Sequence, residues 1–348
     1  MSVLTKIKQA KLVGRGGACF PTGEKWSMVM EAKGKKKYVI CNAAEGEPGI
    51  LKDGFIIDNY PERVVDGIKL ALDFLGAKKG IIYINHKYYK KYKKKLLNVI
   101  GKSPIDFFKK PINSGYIGGE ESSILNAIEG RRIEPRLRPP FPVTSGLWNC
   151  PTLINNVETL YNVSLVNSGE FADKRFYTIN GDCMHTGVFS YPDNWTIAKI
   201  LKETKNIVKF PFFVQIGGDA SGIVLNNKQL KRQVDGAGSI TVYSIAKHKP
   251  KDLIKKWLYF FLNETCGQCT PCREGVYRLL EIIKSPEPDW QLFKDLLINL
   301  HDSSFCGLGC VVPIPIESFI RNVLVDIPKS KKKLFNSNDI HEVCSCYK

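Results

Sequence analysis

The sequence predicts an α/β protein in three parts: an open α/β sheet domain, a small β-grasp unit and a C-terminal helical bundle. Strand-like and helix-like segments alternate through the first half of the chain. From about Lys174 the texture turns to short strands around one helix, and from Asp252 to Asp326 the apolar spacing is helical and every cysteine motif of note is found there. A length of 348 residues suits several domains rather than one core. The expected divisions are 1–165, 170–248, 250–327 and a basic tail at 328–348.

The first element to justify is a loop, "GRGGACFPTGEKW", Gly14 to Trp26, too glycine-rich for a helix or strand interior. It fails as a Walker loop because Glu24 follows Gly23 where Lys is required. It fails as a dinucleotide fingerprint because Gly14-Arg15-Gly16-Gly17-Ala18 ends in Cys19. What remains is a backbone nest of glycine N–H groups beside Arg15 and Lys25, suited to a phosphate, or else a plain structural turn. Next, the apolar "YVIC" of "KKYVICNAAEGEPG" reads as a strand ending in a carboxylate-bearing turn. "PERVVDGIKLALDFLG" reads as a helix from Pro61 to Gly76, "GIIYIN" as a strand and "KYYKKYKKKLLNVIG" as a further helix. "YIGGEESSILNAIEG" is a glycine turn running into a helix with Glu120 and Glu121 at its entrance. The β-grasp expectation rests on "RFYTINGD", "TGVFSYP", "WTIAKILKET", "FFVQIGGDASG" and "GSITVYSI".

Composition narrows the function classes. The formal charge is +17, concentrated at Lys33 to Lys37, Lys87 to Lys95 and Lys329 to Lys333. These runs surround no nucleic-acid motif, so they read as solvated faces and no nucleic acid is expected as partner. No apolar run has the length of a membrane span and no signal peptide is recognised, which predicts a soluble, cytoplasmic protein with no direct membrane span, at most peripheral on a membrane-bound complex. With 11 cysteines and no export signal, metal or redox chemistry is expected rather than disulfides.

"NETCGQCTPCREG" places Cys266, Cys269 and Cys272 at C-x2-C-x2-C, a spacing that aims three sulfurs from one turn at a cubane [4Fe–4S] cluster. Zinc is the competitor, but no second C-x2-C knuckle is present. The fourth ligand comes from "SSFCGLGC", which offers Cys306 and Cys310. Cys344 and Cys346 in the tail read as an incidental pair or a weak metal site rather than ligands of the main cluster.

Together, "GRGGACFPTGEKW", "CNAAEGEPG", "YIGGEESSILNAIEGRR", "RPPFP", "CPTLINNVETL" and "CGQCTPCREG" resemble the flavin-bearing, NADH-oxidising subunit of NADH-quinone oxidoreductase (complex I), a module shared with NAD-linked hydrogenases and formate dehydrogenases. The resemblance runs from Leu12 to about Asp326. It implies a Rossmann-like FMN and NADH domain, a soluble-ligand-binding β-grasp domain and a helical cluster domain. FMN would be held by Gly14, Gly16, Gly17, Lys25, Asn42, Glu45, Tyr116, Gly119, Glu120, Glu121, Asn155 and Asn156. NADH would meet Phe20, Glu47, Glu121, Arg138 and Phe141, with Glu47 and Glu121 serving position and electrostatics and no side chain acting as acid or base. Cys306 is the fourth cluster ligand on the same grounds.

The chain departs from the family pattern in several places. Ala44 stands in an Asp position, Met28 where an aromatic is common, Arg138 for Lys and Cys19 for Gly. The function implied is electron input from NADH through FMN to the cluster, then to a thioredoxin-like [2Fe–2S] subunit and a larger iron–sulfur subunit of a hydrogenase, formate dehydrogenase or complex I. Exchange with ferredoxin or another carrier in place of NADH, prompted by Ala44 and Met28, is the alternative. A non-catalytic basic subunit with an inert cluster is the reading from another class.

Overall fold

The β-branched runs of the first half become four parallel strands: β1 (Tyr38–Ala43), β2 (Lys79–Ile84), β3 (Ile105–Lys109) and β4 (Thr152–Asn156), in the order β3-β2-β1-β4. The computed structural model describes residues 1–34 and 36–325, so the basic tail with Cys344 and Cys346 lies outside the described residues. The chain forms two units, Met1–Gly46 with Leu51–Phe176, and Glu47–Ile50 with the chain from Tyr177 onward.

In the first unit the helices are α1 (Val3–Gln9), α2 (Thr22–Glu31), α3 (Lys52–Asn59), α4 (Pro61–Leu75), α5 (His86–Ile100), α6 (Glu121–Ile128) and α7 (Val157–Ser168). Their ends follow the local chemistry. Pro61 opens α4 and Gly76, at φ 57°, closes it. Glu120 and Asn156 cap α6 and α7 through their side-chain oxygens. The glycine loop is shorter than its composition suggests, because Thr22 to Trp26 already belong to α2. Gly23 is tolerated in that helix because α1 crosses there; a Cβ would lie 2.6 Å from Lys8 Cγ. A closer crossing joins α4 to α7, where a Cβ on Gly67 would lie 2.0 Å from the Leu160 carbonyl oxygen.

Strand β1 lies between β2 and β4; the chain leaves β1 toward β2 on one side and returns from β3 to place β4 on the other, so the strand order reverses between β1 and β4. That is the switch point at which open α/β sheets bind ligands. The parallel register sets Cys41 beside Asn155 and Asn42 beside Asn156 at this edge.

Beneath the edge lies a buried ion cluster. Lys52 is 2 % exposed, and its Nζ is 2.8 Å from Asp53 Oδ1, 3.1 Å from Glu158 Oε2 and 3.1 Å from Asn156 Oδ1. Burial opposes each of these charges and lifts the Asp53 carboxyl above its usual range. Burial likewise opposes the Lys52 ammonium, but the two facing carboxylates outweigh it and hold Lys52 above its ordinary value. Asn156 Nδ2 donates to Asp53 Oδ2 at 2.7 Å, and the Arg15 N–H donates to Thr159 Oγ1 at 2.9 Å, tying the glycine loop to α7.

The second unit holds a five-stranded sheet of β5 (Lys174–Gly181), β6 (Gly187–Pro192), β7 (Phe212–Ile216), β8 (Ile223–Asn226) and β9 (Ser239–Ser244), ordered β6-β5-β9-β7-β8. Helix α8 (Ile197–Glu203) buries Ile197, Ile200 and Leu201 in a core with Tyr177, Val214, Leu225 and Val242, the arrangement expected of a β-grasp unit. Helices α9 (Pro250–Glu264), α10 (Thr270–Lys284), α11 (Trp290–Ser303), α12 (Gly307–Val311) and α13 (Pro313–Phe319) form the bundle. Among the described residues one helical stretch, Gly307–Val325, is long and apolar enough to cross a membrane by length and composition. It is 56 % buried within the structure and carries Glu317 and Arg321, so it reads as bundle core.

Two outcomes are expected. Lys52→Met leaves Asp53 and Glu158 buried without their cation and lowers stability by about 3–5 kcal/mol in urea unfolding; a midpoint equal to the parent's would show that the cluster is not needed. Cys19 is exposed and sits at φ 52°, a left-handed conformation costly for any residue with a Cβ. Cys19→Gly is therefore expected to raise stability by about 0.5–1 kcal/mol, and a loss on thermal unfolding would contradict this account.

Candidate functional site

The residues expected at a flavin site, all in the first unit, gather at the carboxyl edge of β1 and β4. The Gly14 N–H closes the loop on the Phe20 carbonyl at 2.8 Å, and Val13 bridges to Pro21, so the segment between projects as a tight turn. Gly16 is exposed, Gly17 takes φ 119°, and neither N–H has a hydrogen-bond partner among the described residues. A Cβ on Gly16 would stand 3.2 Å from the Asn156 Cβ and fill the space between loop and strand end. Two open amides over a space only glycine leaves free make a cradle for an anionic group.

The other members surround it. Asn155 Oδ1 accepts from Trp26 Nε1 at 3.0 Å, which fixes the amide at the end of β4. Asn42 Nδ2 donates to the Gly119 carbonyl at 2.9 Å while its Oδ1 accepts from the Ala44 N–H at 3.1 Å. Ala44 is buried, and a Cβ on Gly119 would lie 3.1 Å from its methyl group. The Ala that replaces the family's Asp therefore packs under the glycine turn that begins at Tyr116. Asn156 keeps its amide engaged with Asp53, so its contribution to the cradle is the position of its Cβ.

Glu45, at φ 34°, turns its carboxylate toward the start of α3 and accepts from the backbone N–H groups of Asp53 at 2.6 Å and Gly54 at 3.1 Å, and from the Tyr88 hydroxyl. Burial first, then the neighbouring Asp53 carboxylate, push Glu45 up to about 7.

An outer chain of ion pairs follows. Lys25 Nζ meets Glu121 Oε2 at 2.9 Å, Arg138 meets Glu121 Oε1 at 3.1 Å, and Arg138 also pairs with Glu120. The Arg138 guanidinium lies 5.8 Å from the Phe141 ring centroid, within cation–π range. Phe20 and Phe141 are 44 % and 48 % exposed, too open for core residues and available as flat apolar faces. Glu47 belongs to the second unit. There its carboxylate accepts from the Ala220 and Ser221 N–H groups at 3.0 Å each and from the Ser221 hydroxyl at 3.0 Å. The structure thus assembles the expected residues of the first unit, with Glu47 committed elsewhere.

The cysteines meet in the helical bundle of the second unit. Cys266 lies in the turn after α9, Cys269 caps α10, Cys272 sits in its first turn and Cys306 caps α12. A Cβ on Gly309 would come within 3.3 Å of the Cys272 Cβ, so this glycine lets the second cysteine segment approach the first. Burial, then the neighbouring Cys269, Cys266 and Cys310 thiols, raise Cys272 to about 11. Burial, then Cys266 and Cys272, do the same for Cys306. Cys310 Sγ lies 3.6 Å from the Ser304 carbonyl, with its N–H 3.3 Å from the Cys306 carbonyl. Among the described residues no three His, Cys, Asp or Glu side chains converge as the ligands of a single ion do. A cubane is wider than one ion and is held by thiolates spread around it, and its positive iron offsets the mutual repulsion of those thiolates. The donor set fits such a cluster.

Sequence reasoning missed Lys52, Asp53 and Glu158, which underlie the cradle. The signal for them is weak, since charged residues in a row normally lie at the surface.

Residues 7–165 match the family described as the Nuo51 FMN-binding domain, and residues 252–327 match the NADH-ubiquinone oxidoreductase-F iron-sulfur binding region. The chain is 32 % identical to the F-type subunit of NADH-quinone oxidoreductase of Aquifex aeolicus (strain VF5), over 95 % of this chain and 85 % of that one. It is 31 % identical to the NAD-reducing hydrogenase HoxS subunit alpha of Cupriavidus necator, over 90 % of this chain and 58 % of that one. A crystal structure of an NAD+-reducing [NiFe]-hydrogenase in the H2-reduced state superposes with a TM-score of 0.84 at 27 % identity, covering 96 % of this chain and 62 % of the other. The chain therefore spans under two thirds of these two hydrogenase chains and most of the complex I subunit. With the cradle, the cysteine set and the two matched regions in one polypeptide, this chain belongs to the family of the F-type, flavin-bearing subunit of NADH-quinone oxidoreductase.

Proposed function

We propose that the protein takes electrons from NADH at a flavin held in the first unit and passes them to a [4Fe–4S] cluster held in the second, as the electron-input subunit of a larger assembly. The observation that carries this reading is the pair of open amides at Gly16 and Gly17, set beside Asn42 and Asn156 at the switch point of the sheet. Bound FMN accepts an electron pair as hydride and gives electrons up singly, which couples NADH to one-electron iron–sulfur carriers.

The residues supply position and field. The Gly16 and Gly17 amides and Lys25 would take the phosphate or the polar ring edge. Asn42, Gly119 and Asn155 shape the floor, and Tyr116, Glu120 and Glu121 border it. Phe20 and Phe141 would stack on the adenine, and Arg138, already paired to two carboxylates, would share its charge with the dinucleotide phosphates. Cys266, Cys269, Cys272 and Cys306 would ligate the cluster, with Cys310 as its neighbour. The relatives are subunits of complex I and of NAD-reducing hydrogenases, and the same service here calls for a thioredoxin-like [2Fe–2S] subunit and a larger iron–sulfur subunit as partners.

Anaerobic NADH is expected to bleach the flavin absorbance of the reconstituted protein; a flavin that NADPH or a reduced carrier bleaches and NADH does not would sink this reading. Cys269→Ser and Cys306→Ser should each lose most of the bound iron, about four per chain in the parent, while Cys310→Ser keeps it. Full iron in Cys306→Ser with loss in Cys310→Ser would exchange the two assignments.

A further inference from the structure

Between Asp73 and Asp106 the chain has no acidic residue, and within that stretch α5 carries lysine at 87, 90, 91, 93, 94 and 95. Asp58 lies 3.4 Å from both Lys91 and Lys95 and answers those two. Among the described residues Lys87, Lys90, Lys93 and Lys94 form no ion pair, and all four are exposed. Lys87, Lys90 and Lys94 follow the i, i+3, i+7 spacing of one helix face, a stripe about 10 Å long.

The tyrosines among these lysines turn inward. The Tyr88 hydroxyl donates to Glu45, Tyr92 is 6 % exposed and its hydroxyl donates to Asp58 at 3.3 Å, and Tyr89 packs edge-on against Phe107 at 5.8 Å. The outward face is thus mainly charge, with Leu97 and Asn98 beside it, and the half-buried Tyr89 ring lies under Lys93 Nζ at 5.1 Å and Lys109 Nζ at 5.8 Å, which leaves no open aromatic platform for stacking bases. Through Tyr88, the first turn of α5 is bonded to Glu45 at the carboxyl end of β1. The unpaired lysines therefore begin one residue from a side chain bonded to Glu45, one of the residues expected at the flavin site.

We propose that this face of α5 docks a small acidic one-electron carrier protein, and that electrons cross between the carrier and the flavin site through the first turn of the helix. The proposal rests on the flavin reading above. Transient redox complexes are small and are formed by charge steering rather than by apolar burial, which is what a short lysine stripe provides. In the NADH-oxidising direction the balance is one NADH and two oxidised carriers giving NAD+, one proton and two singly reduced carriers.

The test uses the holoprotein with an acidic [2Fe–2S] ferredoxin as probe. Binding is measured by titration calorimetry, and transfer by stopped-flow mixing of chemically reduced protein with oxidised ferredoxin at low and high salt. The triple variant Lys87→Glu, Lys90→Glu, Lys94→Glu is expected to bind about 30-fold or more weakly at low salt and to lose the salt dependence of transfer. Its reduction of ferricyanide by NADH should not fall. Equal affinity and salt dependence in parent and variant would overturn the proposal. So would tighter binding of duplex DNA or of anionic phosphatidylserine vesicles than of ferredoxin, lost in the same variant. Because the protein is reduced chemically, a failure of NADH to reduce ferricyanide counts against the NADH reading alone, and the docking is still decided by the ferredoxin data.

Discussion

The buried ammonium of Lys52 is the interaction on which the first unit's working edge depends. It satisfies Asp53 at the start of α3 and Glu158 at the start of α7, and it donates to the Asn156 side chain at the end of β4. Two chain segments distant in sequence, 52–53 and 156–158, therefore meet around one positive charge. The glycine loop is then hung on the same helix through the Arg15 N–H and rests against Asn156. Remove the charge, and the segments that shape the cradle would carry like charges in a medium that cannot screen them.

The site has two electrostatic layers with different duties. The inner one, around Lys52, is sealed; every charge in it has a fixed partner, and Glu45 relieves the excess of negative charge by holding its proton up to about 7. The outer one, Lys25, Glu121, Arg138 and Glu120, is partly exposed, with side chains 18–36 % accessible. Pairs of that kind are held weakly and can exchange partners when an anionic ligand arrives. The rigid layer positions the site and the looser layer is free to respond to what binds.

Much of this was legible in the sequence where a residue's role is local. Pro61 and Gly76 bounded a helix, "YVIC" and "GIIYIN" announced parallel strands, and the C-x2-C-x2-C run named its chemistry by spacing alone. The ordered motifs told which residues would share a site, and the first unit does bring those of its own segment together. What escaped was non-local. "TLINN" is a strand because it pairs with β1, not because of any propensity of its asparagines, and the short β8 is defined by its partner β7. Lys52, Asp53 and Glu158 carry no local signal, and only the fold places them against one another. Glu47 sits two residues from Glu45, yet the chain turns between them and commits its carboxylate to the Ala220–Ser221 backbone.

The crossing of α4 and α7 at Gly67 has a consequence for how this protein tolerates change. There the two helices touch backbone to backbone, with no side chain to act as a cushion. Any residue larger than glycine would wedge α7 outward, and α7 begins at the asparagine against which the glycine loop rests. A position with no chemistry of its own, one helical turn along from the cradle, thus sets the width of the gap in which a ligand would sit. Drift there would strain the helix pair and, through it, the gap that a ligand would occupy.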